Sequence, residues 1–479
     1  MHLRVEPIGS IKMFEEHLET NCGCVVGGAG IAGMGFLFNA LKSGTLADLA
    51  SDGLIVVDAS EKPGTGTLGQ YRITANSVGD VFIDCLRNPA LREVFEPLEY
   101  SPAYWRIRGQ AQSAPSLTDV GVLMAEASRL VLDHIARRYG VKIWHSTTIT
   151  EVVCDDDDFC VQVETEGCVR RIRCQALVLN LGGRQEPQHL IDSLAVQNLP
   201  LSGATNIQSS DRLLRMNAVQ LREVFATSLA SEGRITVVGG SHSAFSMLEN
   251  LADALEFAGL RELTLIHRTP IRLFYEDAEQ AAAAGYVFDP ARDICPVSGR
   301  INRSGGLRYR ALDIGREALK SGRVGKTGVR VQMLQTDGGK PGDFELARAA
   351  LAESSLVVQC TGYQPRLPVL SHGDGRAIVL RESKGGLDSD ASGCPVDRTG
   401  RRLHGLHLFG LGAGLGVDPL LGSEPSFDGR IYGVWQFHHD ASRVVIEAVL
   451  ARLARRTPVL DTIHLLPTPT LQPETRYSA

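Results

Sequence analysis

The sequence predicts an α/β protein with two Rossmann-like dinucleotide-binding domains, the second inserted in the first, together with a β-meander. Three observations predict it. An apolar, strand-like run empties into a glycine-rich turn at "CVVGGAGIAG" (Cys24 to Gly33), and another does so at "ITVVGGSHSA" (Ile235 to Ala244). Helical spacing follows each turn, and a further apolar run follows each helix. Two later runs, "ALVLNLGGRQEP" and "SSLVVQCTGYQP", share one pattern of strand, small-residue turn and proline.

The bulk composition suits this reading. With 479 residues, 43% apolar and 22% charged, the chain has the length of two or three domains and the make-up of a globular protein. A net charge of −6 without a long basic block argues against nucleic-acid binding. Its longest apolar stretches break well short of the ~20 residues that a membrane helix needs. The N-terminus lacks the apolar core of a signal peptide. Ten scattered cysteines form no C-x-x-C pair, which argues against zinc and for a reduced, cytoplasmic setting. The acidic run Asp155 to Asp158 reads as a solvated hairpin tip, and no metal site is expected.

In the first unit the turn reads Gly28-x-Gly30-x-x-Gly33. Glycine there permits a tight turn, close approach of backbone to a pyrophosphate, and close helix–strand packing. The helix start that follows offers free N–H groups to phosphate. "GLIVVDAS" completes the βαβ unit, and Asp58 at its end can accept from a ribose diol, with Glu61 as the alternative acid.

The stretch from Pro63 to Phe82 is too rich in Gly, Thr and Ser for a core element. It reads as a long loop wrapping a ligand, with a solvated surface loop as the alternative. Asn76 and Ser77 within it are the catalytic candidates, although "ANS" equally suits a turn. "SLTDVGVLMAEASRLVLDHIARRYG" follows as an amphipathic helix, capped by Thr118 or Asp119 and stopped by Gly140. Three β-rich runs over residues 141–180 form the meander.

The second unit differs where its second strand ends. "ELTLIHRTPIRLF" offers His267, Arg268 and Arg272 in place of an acid. Arginine pairs with a 2′-phosphate that an acid would repel, so this site should prefer NADP(H) to NAD(H). His242 inside the turn either meets that cofactor or faces solvent. For Arg272 and Tyr275, surface packing is the favoured role over lining a nicotinamide channel. After "GLHLFGLGAGLG", the segment 432–456 is read as closing in a last helix, with His438 and His439 before the helix start, and the tail from Thr457 is Pro- and Thr-rich.

Two cradles in one chain suit a flavin and a nicotinamide that meet at a domain interface, where hydride passes between them. The layout, "VVGGSHSA" and "VVQCTGYQP" together resemble the NADPH-dependent flavin monooxygenases, nearest to the ornithine and lysine N-hydroxylases. The resemblance implies that Gly28, Gly30 and Gly33 bind FAD and that Gly239, Gly240, Ser241 and Ser243 bind NADPH. It places Thr361, Gly362 and Tyr363 in the family's A-T-G-Y turn, with Cys360 where alanine is usual. It also implies a flavin C4a-hydroperoxide, a small nucleophilic substrate such as an amine, O2 as co-substrate, and a homo-oligomer. No ribityl-binding aspartate can be assigned in "FGLGAGLG", and "EPSFDGRIYGVWQFHHD" has no counterpart in the family.

The expected domains are therefore an FAD-binding domain in two parts, 1–188 and 353–456, an NADP-binding domain at 189–352, and a tail at 457–479. The rival enzyme reading is a reductase that passes electrons to a quinone or protein. A disulfide acceptor is disfavoured because the loop after Asp58 offers only Cys85. A flavin-bearing sensor without turnover has no use for a selective second cradle.

Overall fold

The structure is a computed structural model that describes residues 19–155, 158–202, 205–383, 386–417, 420, 422–430 and 442–455. His438, His439 and the tail lie outside the described residues, as do residues 432–441 of the segment read as ending in a helix; the helix is described over Arg443–Ala454.

The first cradle opens from the strand Glu19–Gly27, whose last six residues are buried. Strands 406–408, 168–179, 19–27, 54–57 and 142–144 lie side by side in that order, all parallel. Parallel sheets are covered on both faces, which is why these strands read as unbroken apolar runs. The helix Ile31–Lys42 buries every residue from Ile31 to Leu41 because it is packed from several sides. Phe36 meets Phe409 of the sheet side at 6.4 Å between ring centroids, and Phe38 meets Phe95 at 5.9 Å. Each fully buried phenylalanine contributes about 2–3 kcal/mol.

The meander grows from the same sheet. Cys168–Leu179 pairs in parallel with the first strand along its length, while its N-terminal half pairs antiparallel with Phe159–Thr165. That strand pairs with Thr148–Cys154, and Val369–His372 closes the edge in parallel. Three β-rich runs thus become four strands, since "VKIWHSTTITEVV" breaks after Trp144 so that Lys142–Trp144 can pair with Leu54–Val57. Helix Leu117–Tyr139 is capped by Ser116, whose Oγ accepts from the Asp119 N–H at 3.0 Å. The expected caps Thr118 and Asp119 lie inside the first turn, and Gly140 ends the helix in the left-handed region as expected.

The second sheet holds strands 330–335, 262–267, 234–238, 354–359 and 206–209, again all parallel. Ile235 and Val237 face one core with helix His242–Leu255, while Val238 faces another with Leu190 and Leu194. Two expected boundaries shift as a result. Helix Pro187–Val196 straddles residue 188 and packs on the second sheet through Leu190 and Leu194. Strand Ser354–Gln359 sits between 234–238 and 206–209, so the chain leaves the second unit after Gln359 rather than at 352. The two exits then pair with each other, Gln364 opposite Arg184 and Pro365 opposite Gly183, as a short antiparallel bridge between the units.

Candidate active site

Steric necessity builds the first turn. Gly28 has φ +85°, and a Cβ there would stand 2.3 Å from the Asn180 carbonyl oxygen; a Cβ on Gly33 would stand 1.9 Å from the Gly28 oxygen. Gly30 is extended and precedes the helix, which has neither a side-chain cap nor an acidic residue in its first turn. Its first N–H groups are therefore free for an anion. The Asp58 carboxylate is tied into the same turn. Oδ2 accepts from the Ala29 N–H at 2.6 Å, and Oδ1 accepts from the Ser60 N–H at 2.8 Å and from its hydroxyl. Glu61 is exposed.

One residue of this cradle escaped sequence reasoning. Asn180 is 6% exposed, and neither its Nδ2 nor its Oδ1 has a hydrogen-bond partner. The amide lies between the helix start at Gly33 and the turn at Gly410, whose φ is +96°. Leaving a buried amide unpaired costs about 1–3 kcal/mol, so an orphan of this kind calls for a ligand. Its only sequence signal is a polar residue ending an apolar strand.

The long loop comes back over the cradle, with Gly66 Cα 3.5 Å from where a Gly30 Cβ would be. It is seated on the long helix by the close approach of Gly69 to Gly121 and by Ser128 Oγ donating to the Gly64 carbonyl at 3.1 Å. Asn76 is exposed and Ser77 buried. Among the described residues neither makes a hydrogen bond to Gly28 or Asn180, so the structure does not gather them with the cradle residues.

The second turn repeats the design of the first. Gly239 has φ +143°, and its Cβ would stand 2.4 Å from the Cys360 carbonyl oxygen. Gly240 lies against His267, where a Cβ would come within 3.1 Å of the histidine Cβ. Ser241 is exposed, Ser243 half-buried, and helix His242–Leu255 starts with neither a side-chain cap nor an acid in its first turn. His267 is buried with Nδ1 2.8 Å from the Thr269 carbonyl, and burial pushes its pKa down, which keeps it neutral.

The basic residues then part. Arg268 is exposed beyond the strand end, while Arg272 turns away and donates from Nη1 to the Ser426 carbonyl at 2.9 Å. Tyr275 is buried in the second core beside Tyr286, in keeping with a packing role. His242 neither faces solvent freely nor stands alone: its Nε2 accepts from the Arg308 N–H at 3.1 Å. Burial, then the Arg308 charge, pulls its pKa down to about 4.

Thr361, Gly362 and Tyr363 form the junction between the units rather than part of either turn. Gly362 has φ +90°, and its carbonyl accepts from Gln185 Nε2 at 2.9 Å. Tyr71, from the long loop, donates to Asp211 at 2.5 Å, and Tyr363 donates to the same carboxylate oxygen at 3.4 Å. Arg215 pairs with Asp211 and lies over the Tyr71 ring. Burial, the larger cause in each case, raises both phenols above their ordinary pKa, so both remain donors. Among the described residues no helix is long and apolar enough to cross a membrane, and no three His, Cys, Asp or Glu gather as metal ligands.

Two parallel sheets, each ending in an uncapped helix start behind glycines, define the two-domain fold of the flavin-dependent monooxygenases. A Kutzneria sp. 744 ornithine N-hydroxylase, solved with reduced FAD, NADP+ and L-ornithine, shares this fold at a TM-score of 0.51 and 15% identity, covering 91% of this chain and 99% of that one. No protein-family model matches the sequence. A relative from Streptomyces rubellomurinus, CMP-5'-(3-aminopropyl)phosphonate hydroxylase, is 31% identical over 435 residues, which is 90% of this chain and 98% of the relative. The chain belongs to the family of that hydroxylase.

Proposed function

We propose that this chain is an FAD- and NADPH-dependent monooxygenase that hydroxylates the primary amine of an aminoalkylphosphonate joined to a nucleotide. The observation that supports it most is the pairing of two glycine turns of opposite character, one tied to Asp58 and one followed by Arg268, in a chain related end to end to a hydroxylase of such a substrate. The overall balance is R-NH2 + O2 + NADPH + H+ giving R-NHOH + NADP+ + H2O. Domain assignment follows the sheets, with FAD on the first unit and NADPH on the second.

The residues present fit both cofactors. Gly28 and Gly33 leave room that a Cβ would fill, Asn180 has an unpaired amide beside them, and the helix start at Ile31 is free to bind a pyrophosphate. Gly239, Gly240, Ser241 and Ser243 would hold the second pyrophosphate, and Arg268 the 2′-phosphate. When bound, FAD and NADPH supply the redox chemistry that activates dioxygen. The chain's own part is to bind, orient and exclude water. The Tyr71–Asp211–Tyr363 cluster fixes one unit against the other, which sets the distance across which the two cofactors work. All ten cysteines are unpaired, which suits a reducing cytoplasm.

The test is incubation of the FAD-loaded protein with NADPH, isotopically labelled dioxygen and CMP-5'-(3-aminopropyl)phosphonate. The expected product carries one labelled oxygen on nitrogen. NADPH consumption that yields only hydrogen peroxide across a panel of amines would favour an electron-transfer enzyme instead.

A further inference from the structure

The segment 422–430 follows the glycine-rich turn 410–414 of the first unit and is anchored on both units. At its far end Arg430 donates from Nη2 to the carbonyl of Leu387, which is buried with Ile55, Leu177 and Leu408 against the first sheet, at 2.8 Å. At its near end Glu424 is only 1% exposed. Its two oxygens accept from successive peptides of the second unit, Oε2 from the Ser304 N–H at 2.9 Å and Oε1 from the Gly305 N–H at 2.8 Å. Ser426 engages the same unit with all three of its polar groups. Its N–H donates to the Arg292 carbonyl at 2.8 Å, its hydroxyl donates to Asp293 Oδ1 at 2.8 Å, and its carbonyl accepts from Arg272 Nη1 at 2.9 Å. Arg303 donates to the Gly422 carbonyl at 3.1 Å. A carboxylate taken out of water must have its oxygens filled, so Glu424 admits one seat rather than a range of them.

That seat is a wall of the second cradle. The Leu307 N–H donates to the Arg272 carbonyl at 2.8 Å and the Phe274 N–H to the Leu307 carbonyl at 3.0 Å, which closes the base of the loop. Ile271 lies against the turn, where a Gly240 Cβ would come within 3.2 Å of its Cδ1, and the Arg308 N–H donates to His242 Nε2 at 3.1 Å. On the sheet, the segment attaches beyond strand 262–267. The Tyr71 and Tyr363 bonds to Asp211, and the pairing of 183–184 with 364–365, lie beyond strands 206–209 and 354–359. Strand 234–238, which leads into Gly239 and Gly240, runs between these two attachments. One attachment alone is a hinge; two on opposite sides of the cradle fix its direction.

We propose that segment 422–427 is a strap that holds the second cradle against the first unit, and that Glu424 is a positioning residue for hydride transfer. The inference rests on the reading that NADPH on the second unit reduces FAD on the first. In that step NADPH loses a hydride to become NADP+, and FAD gains it to become FADH−. Transfer needs the reacting atoms within about 3–3.5 Å, so a small swing of the second unit slows the step without loosening either cofactor.

Glu424→Gln is made in the full-length protein. Its amide offers one acceptor where the carboxylate offers two, so one of the two peptide N–H groups is left facing an NH2 group. Amide hydrogen exchange is measured on the cofactor-free protein, and anaerobic flavin reduction by NADPH on the FAD-loaded one. Exchange should quicken about tenfold in peptides covering 292–305 and 422–427 and stay as in wild type in the strands of both sheets. The limiting rate of reduction should fall about 10- to 100-fold, with FAD affinity and the half-saturating NADPH concentration within about twofold of wild type. Unchanged exchange or an unchanged limiting rate overturns the proposal. Faster exchange throughout the second sheet also overturns it, because Glu424 is then a support of the fold. Weakened binding of FAD or NADPH that accounts for the slower reduction overturns it in favour of a cofactor seat. A wild-type flavin that NADPH does not reduce would sink the cofactor reading and the positioning role together, an outcome distinct from a variant reduced as fast as wild type. Should Glu424→Gln fail to fold, Arg272→Ala removes a donor to the strap from the other side. The same local rise in exchange with a several-fold slower limiting rate is then the supporting result, and wild-type values are the overturning one.

Discussion

A Cβ on Gly28 would stand 2.3 Å from the carbonyl oxygen of Asn180, just as one on Gly239 would stand 2.4 Å from that of Cys360. In both units, then, the turn is pinned by the first peptide after a neighbouring parallel strand. The glycine is required twice over, by its positive φ and by the approach of that carbonyl.

Gly28→Ala should therefore empty the first cradle. The left-handed conformation alone costs a non-glycine residue about 1–2 kcal/mol, and the methyl must also displace the Asn180 peptide. The expected outcome is a protein purified colourless, with a Tm several degrees below wild type. A yellow Gly28→Ala protein with a normal Tm would show that the pyrophosphate seat is elsewhere.

Asn180→Leu separates the needs of the cofactor from those of the fold. The unpaired amide is a burden to the cofactor-free protein, so an apolar residue of similar volume should leave that form equally stable or slightly more so. FAD should bind about tenfold more weakly, because one good hydrogen bond to a ligand is worth about 1.4 kcal/mol. Fluorescence titration of FAD and thermal unfolding of the cofactor-free protein read the two effects independently. Unaltered FAD affinity would mean that the amide serves neither.

Arg268→Ala tests the cofactor preference. Loss of the exposed guanidinium should raise the half-saturating NADPH concentration about 10- to 100-fold and leave NADH almost unaffected. Arg272 is held by the Ser426 carbonyl, so Arg272→Ala should not discriminate between the two nucleotides in this way. If Arg272→Ala alone shifts the preference, the two residues have exchanged roles.

The parts of this site that were legible in the sequence are those fixed by local sterics. Gly28, Gly33 and Gly239 announce themselves because no other residue allows the turn, and the strands around them because both faces are covered. Asp58, which accepts from the Ala29 N–H of the first turn, follows from its place at a strand end. Asn180 was not legible, since its meaning is the absence of partners among residues distant in sequence. The strand Ser354–Gln359 reads in the sequence as an exit, and only its pairing with 234–238 and 206–209 puts it in the second sheet, because an apolar run does not say which sheet it joins. Arg272 has the same strand-end position, and its partner, the Ser426 carbonyl 154 residues away, is not visible in the sequence. Ser116 caps its helix two residues before the expected Thr118, since three hydroxyl or acidic residues stood close enough to compete for the role.

His242 gives the fold a pH dependence of known sign. Burial, then the Arg308 charge, lowers its pKa from 6.5 to about 4, so the folded protein refuses a proton that the unfolded chain accepts between those values. Stability is unaffected above about pH 6.5 and falls as pH drops through the window. The loss at about pH 5 is roughly 2 kcal/mol before screening, and nearer about 1 kcal/mol because water reaches the half-buried ring. His242→Gln keeps an acceptor for the Arg308 N–H but cannot titrate. Thermal unfolding of the two proteins at about pH 7 and pH 5 should show a wild-type Tm that drops further, by about 2–4 °C, than that of the variant. Carboxylates elsewhere titrate alike in both and cancel in the comparison. Parallel Tm curves across the window would mean that the imidazole takes its proton in the folded state as readily as in water, and that the Arg308 charge does not reach it.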